Sequence, residues 1–312
     1  YFAPCFLTYN TGHMNISFWE QETFFKNIDI AVIGSGIVGL NAAMLLKQQH
    51  PKLKIIVLER GMLPMGASSK NAGFACFGSP AELLEDLKTH SEEELFLLIE
   101  KRWNGLQRMR KNLGDSNIDF QNNGGFDVFQ TEHDFSSCAE RLDFLNRHIA
   151  PITGKKETYR VSDQHIAQFG LQQVKHLIVN TEESQIDTGK MIFSLIRRTR
   201  ETGVEILNTV DVKKIEDDGN GVIIYTADDF PIPCKKVIVA TNGFAQQLLP
   251  GYPVEPARAQ VLVTEPIRNL KLKGTFHYNN GYYYFRNIGN RVLLGGGRNL
   301  DFSAEQTVEF GL

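Results

Sequence analysis

Residues 30–33 are four apolar positions without a charge and predict a short buried strand. Leu40, Ala42, Ala43, Leu45 and Leu46 then recur at helical spacing. A second apolar run, 55–58, closes on Glu59. Residues 17–26 carry Phe18, Trp19, Phe24 and Phe25 and predict a short amphipathic helix. Its missing basic face argues against a membrane-surface role. From 80 to about 113 the apolar positions Leu83, Leu84, Leu87, Leu95, Leu98, Ile99 and Trp103 predict helix and core packing. Glu92, Glu93 and Glu94 read as a solvated helix start capped by Ser91. Residues 118–130 predict strand, turn and strand, with Asn122 to Gly125 supplying the turn. A helix over about 131–150, ended by Pro151, and a short helix over 162–169 follow.

The strand–helix pattern then returns. Asp187 precedes a helix over 191–201, with Gly203 placed to stop it. Strands are predicted at 204–207 and 210–215, and 222–225 pairs with 234–237. Residues 237–240 read as a buried strand ending in Thr241, Asn242 and Gly243, where open α/β sheets bind ligands. Residues 257–297 predict antiparallel sheet, with a hairpin around 287–290. The fold class is therefore α/β: a Rossmann-type nucleotide domain (14–80 and 180–255). An α+β substrate domain with an antiparallel sheet is inserted into it (81–179 and 256–312).

Three glycines follow the first strand. Gly34, Gly36 and Gly39 have G-x-G-x-x-G spacing. The first permits a tight turn, the second a close approach of pyrophosphate to the backbone, the third close helix packing. Ile37 and Val38 open the helix, whose N–H groups and dipole face the phosphates. That dipole contributes only about 0.3–2 kcal/mol, so it cannot hold a cofactor alone. Glu59 can accept hydrogen bonds from both ribose hydroxyls and would repel a 2′-phosphate, which argues against NADP. After Arg60 comes a stretch of small residues, 60–79. It reads as a loop lying against a flat cofactor ring rather than as a plain surface loop. Ser68, Ser69, Lys70 and Asn71 can reach phosphate or ring atoms, and Ala72 and Gly73 can present backbone N–H groups.

Composition removes several classes. The 312 residues can bury roughly 75% of their unfolded surface, so no disulfide staples are needed. A net charge of −3 gives no reason to expect nucleic acid or an anionic membrane. Cys5, Cys76, Cys138 and Cys234 are scattered, which suits a reducing, cytoplasmic compartment and argues against a metal site. No apolar stretch approaches the ~20 residues that span a bilayer. Residues 1–13 lack the features of a signal peptide and read as a tag or non-native leader, with Met14 as the native start. The last four residues, EFGL, fall inside a continuing element, as in an incomplete chain.

These residues resemble one family. DIAVIGSGIVGLNAAMLL, IIVLER and GASSKNAGF are similar to the FAD-dependent D-amino-acid oxidase family, which includes glycine, sarcosine and γ-glutamylputrescine oxidases. GVEIL, VIVATNGFA, ARAQVLVTEP and YYYFRNIGNRVLLGGG continue the resemblance in order, over about 18–298. SFWEQETF resembles the γ-glutamylputrescine oxidase-like branch most. The resemblance implies FAD rather than NAD. It implies that Gly34, Gly36 and Gly39 face the pyrophosphate and Glu59 the adenosine ribose. Residues 68–73 would meet pyrophosphate and isoalloxazine, and the Val212 backbone the adenine. Ala240, Thr241 and Gly243 would close over the cofactor, and the sheet of 260–297 would form the substrate face. The family's further segment after the LGGG strand has no counterpart here, so an inactive truncated flavoprotein is one reading.

The resemblance also implies the chemistry. A C–H bond beside an amine nitrogen gives a hydride to flavin N5, and the imine hydrolyses. The substrate is an amine or amino acid, with oxygen or another electron acceptor. Oxidation of a hydroxy acid or polyol phosphate is the alternative. No side-chain base is required if the amine arrives neutral, and no G-x-S-x-G elbow is present. Tyr282, Tyr284 and Arg286 share one strand face and form a row that can hold an acidic or amide-bearing amine. The same row also reads as cross-strand aromatic packing with a surface arginine. Arg258 and Lys70 are further positive charges that can face a reduced flavin. His277 and Tyr278 read as structural, and Cys76 as a small buried cysteine rather than a covalent flavin link.

Overall fold

The computed structural model describes residues 16–309. The expected leader at 1–13, Cys5, Met14 and the final three residues of EFGL lie outside the described residues. The strands are β1 (Ile28–Ile33), β2 (Ile55–Glu59), β3 (Phe74–Ala75), β4 (Gly125–Phe129), β5 (Tyr159–Val161), β6 (His176–Asn180), β7 (Ser184–Gln185) and β8 (Glu205–Asn208). Then come β9 (Val212–Asp217), β10 (Val222–Thr226), β11 (Pro231–Val239), β12 (Gln260–Val263), β13 (Thr275–Tyr278), β14 (Tyr283–Ile288) and β15 (Arg291–Gly296). Two compact units result. One comprises 16–70, 192–257 and 308–309, the other 71–191 and 258–307. The first division falls after Lys70, inside the small-residue stretch, where the sequence reading placed it at 80. Its cause is the β3–β7 ladder, which ties Phe74 and Ala75 to Gln185 and Ser184.

The first unit holds a six-stranded sheet ordered β8-β2-β1-β11-β10-β9. β1 pairs in parallel with β2 and β11, and β2 with β8. Parallel strands buried on both faces need continuous apolar runs, which is why β1 and β2 lack alternation. Ile28, Ala31, Ile33, Ile56 and Leu58 pack with Ile224, Phe230 and Ile232. The helix Ile37–Gln49 buries Gly39, Leu40, Ala43 and Met44 on one face. Residues 237–240 are only half-buried, not buried as expected. Three of them end one long strand, β11, that also contains the 234–237 segment. Among the described residues, no helix is long and apolar enough to cross a membrane.

The second unit holds a seven-stranded sheet ordered β12-β15-β14-β13-β4-β6-β5. β13 and β4 run parallel, and the other neighbours are antiparallel. On one face Phe129, Ile178 and Tyr159 join Phe77, Leu83, Leu95, Ile99, Leu145 and Ile149 in a core with the helices. On the other, Phe126 stacks on Phe276 at 5.2 Å and Phe276 on Phe285 at 4.8 Å.

Two local expectations fail here, at 118–130 and at 131–150. Residues 118–121 form no strand: a 3-10 turn, Asp115–Ile118, leads to left-handed Asp119 and a lone bridge from Gln121 to Gln185. β4 finds its partners far away, in β6 and β13, so the turn residues 122–125 join no hairpin. The helical pattern over 80–113 is filled by two helices, Pro80–Asp86 and Glu92–Leu113, the second starting at the expected Ser91 cap, which forms a capping box. The 131–150 helix is also two, Glu132–Ala139 and Leu142–Thr153. Pro151 lies inside the last turn and does not end it; Gly154, left-handed at φ 76°, does.

Candidate functional site

In the first unit β1 runs into the glycine turn. Gly34 has φ +103°, and a Cβ there would stand 2.6 Å from the Ala240 carbonyl oxygen. A Cβ on Gly39 would overlap the Gly34 carbonyl, so the helix sits directly on the turn. Gly36 caps the helix, and a Cβ there would come 2.9 Å from Ser68 Oγ. Ser68 Oγ therefore occupies part of the space that a side chain at residue 36 would need. Ser68 Oγ accepts the Ile37 N–H at 2.9 Å. The first intrahelical bond is Leu40 N–H to the Gly36 carbonyl, so the N–H groups of Val38 and Gly39 precede it. Val38 is exposed at this end.

Glu59 is buried at the end of β2. Its Oε2 accepts Ser35 N–H at 3.0 Å and Ser35 Oγ–H at 2.6 Å, and its Oε1 accepts Gly61 N–H at 3.0 Å. A carboxylate has about four acceptor sites, so three intrachain bonds leave room for about one ribose hydroxyl rather than the two expected. Arg60 lies 4.0 Å over the Phe244 ring. Ser69 Oγ donates to the Pro64 carbonyl at 2.6 Å, and Lys70 Nζ to the Met65 carbonyl. These two polar groups therefore brace the short helix Ala67–Lys70 from within. Val212 opens β9 beside residues 209–210, whose N–H groups bond the Gly61 and Glu59 carbonyls. Ala240 N–H bonds the Ile33 carbonyl at 2.8 Å. Thr241 Oγ1 is buried without a hydrogen-bond partner, and Gly243 packs on Pro256. A glycine turn leading into an open helix start is the general arrangement of dinucleotide-binding sites, and here the unpartnered Thr241 hydroxyl lies at the end of the same sheet.

In the second unit, strand register places Gly125, Thr275, Arg286 and Leu293 in one row, and Asp127, His277, Tyr284 and Gly295 in the next, on the same sheet face. Tyr282 is outside the expected row. It sits in the turn before β14, 42% exposed, against the Phe302 ring. Arg286 is not a surface arginine. It is 6% exposed, donates from Nη2 to the Ile186 carbonyl at 2.9 Å, and keeps Nε buried without a partner. Burial lowers its pKa, opposed by Asp187 and Asp119. Ala72 is buried, and the Gly73 N–H is taken by Asn71 Oδ1 at 2.9 Å, so it does not point outward as expected. Gly73 has φ +73°, and any Cβ there would meet Ile186 and Arg286.

The sequence reading missed an ionic bridge on this face, buried at His277 and Glu183 and half-buried at Glu82. His277 Nε2 lies 2.7 Å from Glu183 Oε1, and Nδ1 lies 3.2 Å from Glu82 Oε1. Thr275 Oγ1 donates to the same Glu183 oxygen at 2.6 Å. Burial alone would lower the His277 pKa, but Glu183 and then Glu82 hold it well above the usual imidazole value. Burial raises Glu82, yet the hydrogen bond from His277 leaves it below the usual carboxylate range. Burial pushes Asp127 up to about 7, with His277 opposing. Asp127 and His277 also reach a cavity of about 840 Å³ walled by Leu84, Lys88, Cys138 and Arg141. Burial, with Glu183 next, pushes the Cys76 thiol up to about 12. Glu82 in a helical stretch and Glu183 in a polar turn carry no periodic or motif signal.

Parallel strands β8, β2, β1 and β11, with a glycine turn after β1 and a buried acid at the end of β2, define a dinucleotide-binding α/β protein. The family model "FAD dependent oxidoreductase" (DAO) matches residues 29–310, and the chain belongs to that family, whose cofactor is FAD. N-methyl-L-tryptophan oxidase of Citrobacter koseri is 24% identical over 244 residues, 74% of this chain. The chain spans 57% of that relative's length. Glycine oxidase from Bacillus cereus has a similar fold, with a TM-score of 0.64 at 17% identity over 86% of this chain and 70% of that one. L-Proline dehydrogenase from P. horikoshii gives 0.66 at 17% identity, over 91% and 72%.

Proposed function

We propose that the chain is the FAD-binding and substrate-face portion of an oxidoreductase that oxidises the C–N bond of an amine or amino acid. The observation that carries this is the Gly34–Gly39 turn beside buried Glu59, in a chain of the FAD-dependent oxidoreductase family. The first unit is assigned as FAD-binding domain and the second as substrate domain. Gly34, Gly36, Ile37, Val38 and Gly39 would hold the pyrophosphate by backbone and helix dipole. Glu59 would accept a ribose hydroxyl, and Thr241 Oγ1 would find its partner on the cofactor. Bound FAD supplies a hydride acceptor. The chain supplies orientation: Tyr284 offers a half-buried hydroxyl and Arg286 a buried donor for an anionic or amide-bearing amine. Oxygen or another acceptor reoxidises the flavin. The free, scattered cysteines Cys76, Cys138 and Cys234 support a cytoplasmic setting.

The test is an absorbance spectrum followed by anaerobic screening. Flavin bands in the protein, bleached by amines or amino acids, are the expected result. Bleaching by hydroxy acids or polyol phosphates alone would replace the amine reading. A colourless protein that cannot be reconstituted with FAD would refute both.

A further inference from the structure

The cavity of about 840 Å³ beside Asp127 has no part in the oxidation proposed above. Each residue that lines it belongs to the second unit, and neither Tyr284 nor Arg286 does so. Its volume is that of a site for a small organic molecule. The helix Pro80–Asp86 and the turn after it, the ends of β4 and β13, and the helix Glu132–Ala139 enclose it. Half-buried Leu84 and Leu87 and buried Phe129 and Cys138 form its apolar side.

The charges around this cavity are unequally paired. Lys88 Nζ is held by Glu85 at 2.6 Å. Arg141 lies 4.6 Å over the Phe144 ring. The His277 imidazole is engaged on both sides, by Glu183 and Glu82. Among the described residues, none of these three forms an ion pair with Asp127. Asp127 is 3% exposed and has neutral donors instead: Ala81 N–H bonds Oδ2 at 2.8 Å, and the Ser79 hydroxyl also bonds the carboxyl. A carboxylate has about four acceptor sites, so about two remain for a ligand. Burying a carboxylate without a counter-ion is unfavourable, and an ammonium ion would supply the missing charge through a charge-assisted hydrogen bond. An anionic ligand would find the basic groups already engaged and would meet Asp127 as a like charge.

We propose that this cavity binds an organic ammonium ion, which donates to Asp127 and lays its apolar body against Leu84, Leu87 and Phe129. The ligand needs the ionised carboxyl, and burial keeps Asp127 protonated up to about 7, so affinity rises with pH through that value. Four titratable groups face Asp127: His277 from β13, Glu82 from the helix Pro80–Asp86, Cys138 from the helix Glu132–Ala139 and Tyr159 from β5. His277 and Glu82 keep their charges between pH 6 and pH 8, and burial keeps the Cys138 thiol and the Tyr159 phenol neutral. His90 lines the cavity as well. It is common to wild type and Asp127 variants, so their comparison separates its share.

The probe is 1-adamantylamine, a cation throughout this pH range. Its nitrogen-bearing carbon has no hydrogen, so the oxidation proposed above cannot consume it. Neutral 1-adamantanol, with the same apolar body, is the control. Binding to the whole chain is measured by calorimetry and located by amide resonances. The amine should shift the amides of Val128, Phe129 and Tyr278, with a Kd about tenfold lower at pH 8 than at pH 6. Asp127→Asn should weaken binding at pH 8 at least about tenfold and abolish the pH dependence. If Asp127→Asn does not fold, Asp127→Ser takes its place under the same criteria, and the pH series and the alcohol are read on wild type in any case. No binding of the amine, shifts confined to other residues, or equal affinity for the alcohol overturns the proposal. So does a Kd equal at the two pH values, or affinity and pH dependence that survive in the Asp127 variant.

Discussion

Gly34→Ala puts the glycine turn under a defined load. Gly34 has φ +103°, a region L-residues avoid, at a cost of about 1–3 kcal/mol. The added Cβ would stand 2.6 Å from the Ala240 carbonyl oxygen, and real Cβ atoms essentially never come under 3.0 Å, so the turn must open by about 0.4 Å. Little can yield. Gly34 N–H is bonded to the Leu58 carbonyl at 2.8 Å, and Ala240 N–H to the Ile33 carbonyl at 2.8 Å. Three parallel strands therefore resist the movement, adding roughly 1–2 kcal/mol of overpacking. The expected loss is about 2–5 kcal/mol, or roughly 4–20 °C in Tm, together with weaker FAD binding because the helix start moves with the turn. Differential scanning fluorimetry and FAD titration read both. Gly105→Ala is the contrast: Gly105 is exposed in the middle of a helix with nothing within 4 Å of an added Cβ. There the expected change is a gain of about 0.5–1 kcal/mol. Wild-type Tm and FAD affinity in Gly34→Ala would refute the reasoning.

Asp127 makes stability fall with rising pH. Its folded carboxyl keeps a proton to about 7, while the unfolded one releases it near 3.8, so the folded state binds more protons between those values. Denaturant unfolding of Asp127→Asn against wild type should therefore favour the variant more at pH 7.5 than at pH 4, by up to a few kcal/mol; an equal difference at both would sink the assignment. His277 also loses stabilisation as pH rises above the unfolded imidazole value near 6.5, but it is present in both proteins, so its own share largely cancels in the variant-minus-wild-type difference. Arg286→Ala should raise KM for an anionic amine at least about tenfold more than for a neutral one, with Arg286→Lys recovering part of the loss; equal effects on both substrates would reduce Arg286 to its bond with Ile186. Cys76, with its thiol pushed up to about 12, should stay unalkylated by iodoacetamide at pH 8, and acid precipitation should release all flavin; flavin retained in the pellet would show a covalent link.

The nucleotide half of the fold was legible because its signals are local. The runs at 30–33 and 55–58, the three glycines and Glu59 lie within one βαβ unit, and short-range spacing encodes what each touches. The return at 204–215 was legible for the same reason. The substrate half was less so. Gly125 follows a good turn sequence, yet β4 pairs with strands about 50 and 150 residues away, and no periodicity announces that. Pro151 misled because one missing N–H in a last turn costs little, while Gly154 supplies the left-handed stop.

The same division runs through the candidate site. Arg286 and Tyr284 were read on one face because alternation is local, and the register keeps them there. Tyr282 was placed with them by the same rule, but the turn closed by Tyr282 N–H on the Asn279 carbonyl includes Tyr282, and β14 begins only at Tyr283. Burial reversed the surface reading of Arg286, and nothing within ten residues of it could have said so: the Ile186 carbonyl that holds it lies 100 positions earlier. Glu82, Glu183 and His277 are the extreme case. Each is unremarkable in its own stretch, and together they become an ionic bridge only when a helix, a turn and a central strand meet. A glycine fingerprint anchors phosphates with residues a sequence window can hold. The face proposed to orient a substrate is assembled from segments far apart in the chain, Ile186 and Arg286 among them, so its charges are decided by topology before they are decided by composition.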